Sequence, residues 1–276
     1  MTALIAFTAS GIIVSILYYF EEIGLIILVI LVGYVLTKNY FLHKERRIKE
    51  IEEEELEMIE SKSIKGVIFE SSKNITKFSK RINKLFQKTF EGLASKDIST
   101  LKENQTTVSK LDKDVDLIAN NVFYFIKNLD EASKESASDF HMKILGGLEN
   151  ITLSMQTITK SIYKHFNNNH RGLTYNQLRE LKELEDDMNN FFKKIVQTFE
   201  KQKYEEIKSI FSIKESLIKS LNKKIKSQVS RTKDKDSGPR NTRLYFEFLN
   251  KTQNIVSEYL KILELYSEKY VKKIEE

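Results

Sequence analysis

The feature that most constrains this chain is a ladder of apolar residues: Phe140, Ile144, Leu148, Ile151, Met155, Ile158, Ile162 and Phe166. The steps between them are 4, 4, 3, 4, 3, 4 and 4. Residues three and four apart lie above one another on an α-helix, so this spacing traces one face of a long helix. The ladder returns 104 residues on, as Leu244, Phe248, Thr252, Ile255, Tyr259, Ile262, Tyr266 and Tyr270, with Thr252 the one polar rung. Asn150-Ile151 also recurs as Asn254-Ile255. A helix with such a stripe must bury it against neighbours.

The segments before the two ladders also correspond. Lys88-Thr89-Phe90-Glu91 matches Gln197-Thr198-Phe199-Glu200 at an offset of 109. Ile98 and Leu101 then match Ile207 and Ile210; after one added residue, Val108, Leu111 and Val115 match Ile218, Leu221 and Ile225. A repeat of this length is too long for a solenoid of helix pairs. It suits two three-helix bundles, residues 64–170 and 171–276.

One proline, nine glycines and 30% charged residues leave room for long helices and little else. The first helix spans about 64–93, with Ile75, Phe78, Ile82, Phe86 and Phe90 on one face. The break Ser95-Lys96-Asp97 offers a cap for the second, about 97–129, which turns Leu101, Val108, Leu111, Val115 and Ile118 inward. Asp130 caps the third, residues 167–172 form a loop, and Thr174 with Gln177 makes a capping box for the fourth. That helix carries Leu178, Leu181, Leu184, Met188, Phe191, Ile195 and Phe199. The fifth spans about 204–229. Residues 230–241 read as a basic loop, and Pro239 suits the first turn of the sixth helix.

Upstream, residues 3–20 and 23–37 carry no charge and are separated by Glu21-Glu22. A span needs ~20 apolar residues, with ~17 tolerated. The first run reaches that length, and the second does so if it continues through Tyr40, Phe41 and Leu42. Residues 1–43 therefore read as a transmembrane helical hairpin anchored in the lipid bilayer. Lys38, Lys44, Arg46, Arg47 and Lys49 follow the second uncharged run, which predicts a cytoplasmic C-terminal domain at the bacterial inner membrane. The competing reading, a signal peptide, lacks a basic leading region and a clear cleavage site. Residues 44–63, basic then acidic, read as a charged helical stalk. The absence of cysteine excludes disulfides and thiolate metal sites.

With its duplicated three-helix unit, the phrase FEGLASKDISTLKENQTTVSKLDKDVDLI and the third-helix segments KILGGLENITLSM and YFEFLNKTQNIVSEY, the chain resembles the PhoU-like family. Within that family it is most similar to the cytoplasmic domain at the C-terminus of bacterial Na⁺/phosphate cotransporter-type proteins. The resemblance covers about residues 64–270. It implies an all-α fold and a regulatory or accessory role in phosphate transport, with a phosphate transporter or a sensor kinase as partner. Family members bind metal through Glu-x-x-x-Asp pairs on the third helix of each repeat. Here Glu149 keeps one carboxylate, while Leu153, Gln253 and Ser257 stand at the other three positions. Hard cations need several oxygen ligands, so no family-type metal site and no cofactor is expected. Two short spans without the cotransporters' Gln-Ser-Ser motifs form no transport pathway.

No nucleophile stands with a base, and His43, His141, His165 and His170 form no metal-spaced pair, so no enzyme is expected. Gly146-Gly147 lies inside a helix, where each glycine costs ~1 kcal/mol relative to alanine; close packing of a neighbouring helix would explain both. One charge cluster stands out: Lys219, Lys223, Lys224, Lys226, Arg231, Lys233, Lys235, Arg240 and Arg243, opposed only by Asp234 and Asp236. It reads as a solvated loop or, more sharply, as a contact for anionic lipid headgroups or an acidic partner. No aromatic residue interleaves it, which argues against nucleic acid. The alternative function is a membrane-tethered helical scaffold or signalling protein unrelated to phosphate. A homo-oligomer is compatible with either reading.

Overall fold

The computed structural model describes residues 64–202, 207–233 and 238–272. The expected membrane hairpin at 1–43 and stalk at 44–63 lie outside the described residues. Among the described residues the chain forms α-helices and no strand: α1 (Ile64–Ser95), α2 (Ile98–Lys127), α3 (Glu131–Asn167), α4 (Tyr175–Glu200), α5 (Ile207–Lys233) and α6 (Pro239–Lys272). No described helix is long and apolar enough to cross a membrane.

The helix boundaries follow local chemistry. Lys96 takes the left-handed conformation (φ 58°) that ends α1. The Asp97 carboxylate then accepts the backbone N–H groups of Ser99 (2.9 Å) and Thr100 (3.2 Å), capping α2. Asp130 caps α3 by accepting from the Ser133 N–H. Thr174 and Gln177 close the expected capping box of α4. At one boundary the structure corrects the sequence reading: residues 230–233 are not loop but the last turn of α5. The Thr232 hydroxyl donates to the Gln228 carbonyl (2.9 Å) and the Arg231 guanidinium pairs with Glu180 on α4, so this polar turn has partners that its composition does not announce.

The repeat makes α1 equivalent to α4, α2 to α5 and α3 to α6. The contacts that join the halves are α1 on α4 and α3 on α6, so each inner helix meets its own counterpart. Helices α2 and α5 lie outside, α2 on α1 and α3, α5 on α4 and α6. The first ladder is buried along its whole length, from Phe140 to Phe166. The second is buried from Leu244 to Tyr266, Thr252 included. Thr252 donates its hydroxyl to the Phe248 carbonyl (2.8 Å), which satisfies it inside the helix.

The halves differ in one respect. In the first, α1 and α3 approach closely; in the second, α4 and α6 do not. Aromatic rings span the wider gap: Phe192–Tyr259 at 5.6 Å and Phe199–Tyr266 at 4.8 Å, both edge-to-face. Phe86 of α1 and Phe140 of α3 also meet α6, at Phe248 (5.5 Å) and Tyr266 (5.1 Å). These rings belong to one apolar core that runs through all six described helices.

Candidate functional site

The basic residues singled out in the sequence do not form one patch. The structure distributes them over three environments. Lys233 closes α5 and Lys235 lies outside the described residues.

Lys224 and Arg231 turn inward. The buried stripe of α5 runs Ile207, Ile210, Leu217, Leu221, Lys224 and Gln228, so Lys224 continues an apolar ladder. Its ammonium donates to Glu183 of α4 at 2.9 Å. Arg231 makes a two-pronged bond to Glu180, Nη1 to Oε1 at 3.0 Å and Nη2 to Oε2 at 2.7 Å. Its guanidinium also lies 5.4 Å over the Tyr245 ring, and Tyr245 donates its hydroxyl to Glu180. Burial pushes the Glu180 carboxyl up, but the hydrogen bonds from Arg231 and Tyr245 and the charges of Arg231 and Lys224 outweigh it, so the group stays below the usual carboxylate range. Burial, then the bond to Glu180, raises the Tyr245 phenol. Gln177 donates to Gln228 (3.0 Å), and Gln228 to Thr242 (3.1 Å), extending the network from α4 across α5 to α6. These two cations hold the second half together.

Lys219, Lys223 and Lys226 lie exposed on the outer side of α5. With Lys214, Asn222 and Ser230 they border a shallow open groove that is not enclosed by a second layer of protein. These three lysines form an exposed basic face of a helix.

Arg240 and Arg243 belong to a third place. They start α6 and face the end of α3 across a recess of about 250 Å³. Its other walls include Lys164, His165, His170 and Glu247. Arg240 Nη1 donates to His170 Nδ1 at 3.1 Å. His165 Nε2 donates to the Arg171 carbonyl at 2.7 Å. Asn241 ties the start of α6 to the α3–α4 loop by donating to the Gly172 carbonyl at 2.8 Å. Neither the pairing of Arg240 with His170 nor the involvement of Lys164 is legible in the linear sequence.

The family's metal positions lie on α3 and α6. Glu149 is exposed, and Leu153 is an exposed apolar residue, 57% accessible. Gln253 and Ser257 are half-buried. Among the described residues no three His, Asp or Glu side chains converge as a metal site requires. Glycine explains one of its two helical positions: a Cβ at Gly147 would lie 3.0 Å from the Ile262 Cδ1 of α6, whereas one at Gly146 would meet nothing within 4 Å.

No sequence-family model matches the chain. No curated protein sequence matches it either. Among solved structures the chain is similar to the phosphate transport system regulatory protein PhoU from Streptococcus pneumoniae, with a TM-score of 0.61 and 15% sequence identity. The match covers 74% of this chain and 95% of that one. The fold of the described residues is therefore that of PhoU: all-helical, with no strand among them.

Proposed function

We propose that this protein is a membrane-anchored regulatory module for phosphate transport, with residues 64–276 as its working part and residues 1–43 as a transmembrane hairpin. The observation that carries the reading is the PhoU fold, which embraces nearly the whole of a phosphate transport regulator despite 15% identity. Supporting it, charged side chains of the described residues tie helices to one another. The pairs Glu180–Arg231 and Glu183–Lys224 bridge α4 and α5. Such a bundle acts by presenting surfaces to a partner rather than by turning over a substrate. The uncharged runs 3–20 and 23–37 support the anchor, and the basic residues after them support a cytoplasmic domain.

Two measurements test this. Deleting the gene should change uptake of radiolabelled phosphate or the response to phosphate limitation, and cross-linking in membranes should capture a phosphate transporter or a sensor kinase. Unchanged phosphate handling in both limiting and replete medium would refute the regulatory role. A reporter fused after Glu276 that is active only outside the inner membrane would refute the topology.

A further inference from the structure

Lys164, Arg240 and Arg243 converge on one recess. Elsewhere interhelical cations find carboxylates: Lys80 pairs with Glu200, Arg81 with Asp114, Lys224 with Glu183 and Arg231 with Glu180. Around the recess, Lys164 and Arg243 make no ion pair with any described carboxylate, and Glu247 is the single acidic group in its walls. Three permanent cations against one carboxylate leave the walls of the recess net positive, which favours an anion there.

The histidines add to this. Arg240 can only donate, so the His170 Nδ1 that receives it is unprotonated. The Arg171 carbonyl can only accept, so His165 carries its proton on Nε2. The two rings lie 5.1 Å apart. Arg240 is thereby oriented by a neutral partner that uses one of its donors and leaves the rest of the guanidinium fork free. A planar fork of this kind matches the oxygens of a tetrahedral anion.

We propose that the recess between the end of α3 and the start of α6 binds a phosphate-class oxyanion, gripped by Lys164, Arg240 and Arg243. Its volume of about 250 Å³ falls below the ~300–1,000 Å³ common for drug-sized ligands, so it suits inorganic phosphate or a single phosphate group rather than a nucleotide. The proposal rests on the recess alone and goes beyond the regulatory reading, which can hold or fail separately. That phosphate could be free in solution or carried by an anionic lipid.

The test uses the purified full-length chain in detergent. Isothermal titration with inorganic phosphate and with sulfate should show saturable binding that sodium chloride at matched ionic strength does not reproduce. Arg240→Gln, Arg243→Gln and Lys164→Gln should each weaken it by about tenfold, the scale of a lost charge-assisted bond. All three residues are exposed, so the helical signal and thermal midpoint should not change. Lys219→Gln with Lys223→Gln on α5 should leave binding intact. In a second arm, co-sedimentation with vesicles containing phosphatidic acid, compared with phosphatidylcholine alone, identifies a lipid source if it is lost in the Arg240→Gln/Arg243→Gln variant. Binding of the free anions, or of the vesicles, with that dependence on the recess supports the proposal. Absence of binding in both arms, binding indifferent to Lys164, Arg240 and Arg243, or binding lost instead in the α5 variant overturns it.

Discussion

The adjacent glycines of α3 give a sharp test of how closely α3 and α6 pack. A methyl at position 146 meets no atom within 4 Å, while one at position 147 meets Ile262 Cδ1 at 3.0 Å and Cγ1 at 3.1 Å. Both glycines sit in the interior of a 37-residue helix, where alanine is favoured by ~0.8–1.0 kcal/mol. Gly146→Ala should therefore stabilise by about 1 kcal/mol, which raises the thermal midpoint by about 2–4 °C for a unit of this size. Gly147→Ala gains the same helix propensity but overpacks a buried contact, and overpacking costs ~1–3 kcal/mol. Ile262 is β-branched, fully buried and part of the core, so it has little freedom to rotate away. The expected net effect is a loss of about 1 kcal/mol, placing the two variants about 2 kcal/mol apart with opposite signs. Ile262→Val removes the closer of the two clashing carbons. It should cost ~0.5–1.5 kcal/mol in the parent but less in the Gly147→Ala background. Thermal unfolding followed by far-ultraviolet circular dichroism reads all four corners of the cycle. If Gly146→Ala and Gly147→Ala stabilise equally, α3 and α6 are not in contact at this level and the pairing of equivalent helices is wrong there.

Further outcomes follow from the core and the charges. His141 is buried beside the Ala119 backbone, and burial lowers its pKa from 6.5 to about 4. The unfolded chain thus takes up a proton below about pH 6.5 that the native state resists until about pH 4. Stability should be complete above that window, fall by up to about 3 kcal/mol across it and then level off; His141→Phe should remove that fall from the pH profile, and an unchanged profile would refute the assignment. Ile151 and Ile255 are both fully buried at equivalent rungs, so Ile151→Ala and Ile255→Ala should each cost ~2–5 kcal/mol in denaturant titrations. Metal added at a thousand times a site's Kd stabilises by ~4 kcal/mol. No such gain is expected here with Mg²⁺, Mn²⁺, Zn²⁺ or Fe³⁺, and a stabilisation abolished by Glu149→Gln would refute this. Because Leu153 is exposed, Leu153→Asp with Gln253→Glu and Ser257→Asp should leave the fold intact while creating a metal-responsive midpoint.

Much of the fold was legible because its determinants are local. The ladder of α3, the Asp97 and Asp130 caps and the Thr174–Gln177 box each depend on residues within a turn or two, and each forms as its spacing implies. The duplication predicted equivalent helices, but not that equivalents would face one another, because amphipathicity fixes which face is buried without naming the neighbour. It also overstated the equivalence of the outer helices: Ile207 is buried, whereas its match Ile98 is 41% exposed, and Ile218 and Ile225 are half-buried where Val108 and Val115 are buried. Helix propensity does not distinguish Gly146 from Gly147, because it is a property of the position in one helix. Only the distance to α6 separates them.

The candidate site was less legible, and α5 shows why. Counting basic residues along the chain treats Lys219, Lys223, Lys224 and Arg231 as one cluster, although a helix points them in different directions. The discriminating signal was present: Lys224 and Gln228 follow Leu217 and Leu221 at steps of three and four, so they occupy core rungs. A polar residue on a core rung requires a buried partner, because an unpaired charge there is expensive. Glu180 and Glu183 stand three apart on α4, ready to supply that partner to Arg231 and Lys224. Reading rungs rather than runs would have removed both cations from the surface patch. The recess is different in kind. It joins Lys164 to Arg243 through the turn at the end of α3 and the approach of α6, a tertiary juxtaposition that no period in the sequence encodes. Its one sequence trace is indirect: His165, His170 and Arg240 all lie at helix ends, where a chain that reverses direction gathers the residues flanking its turns.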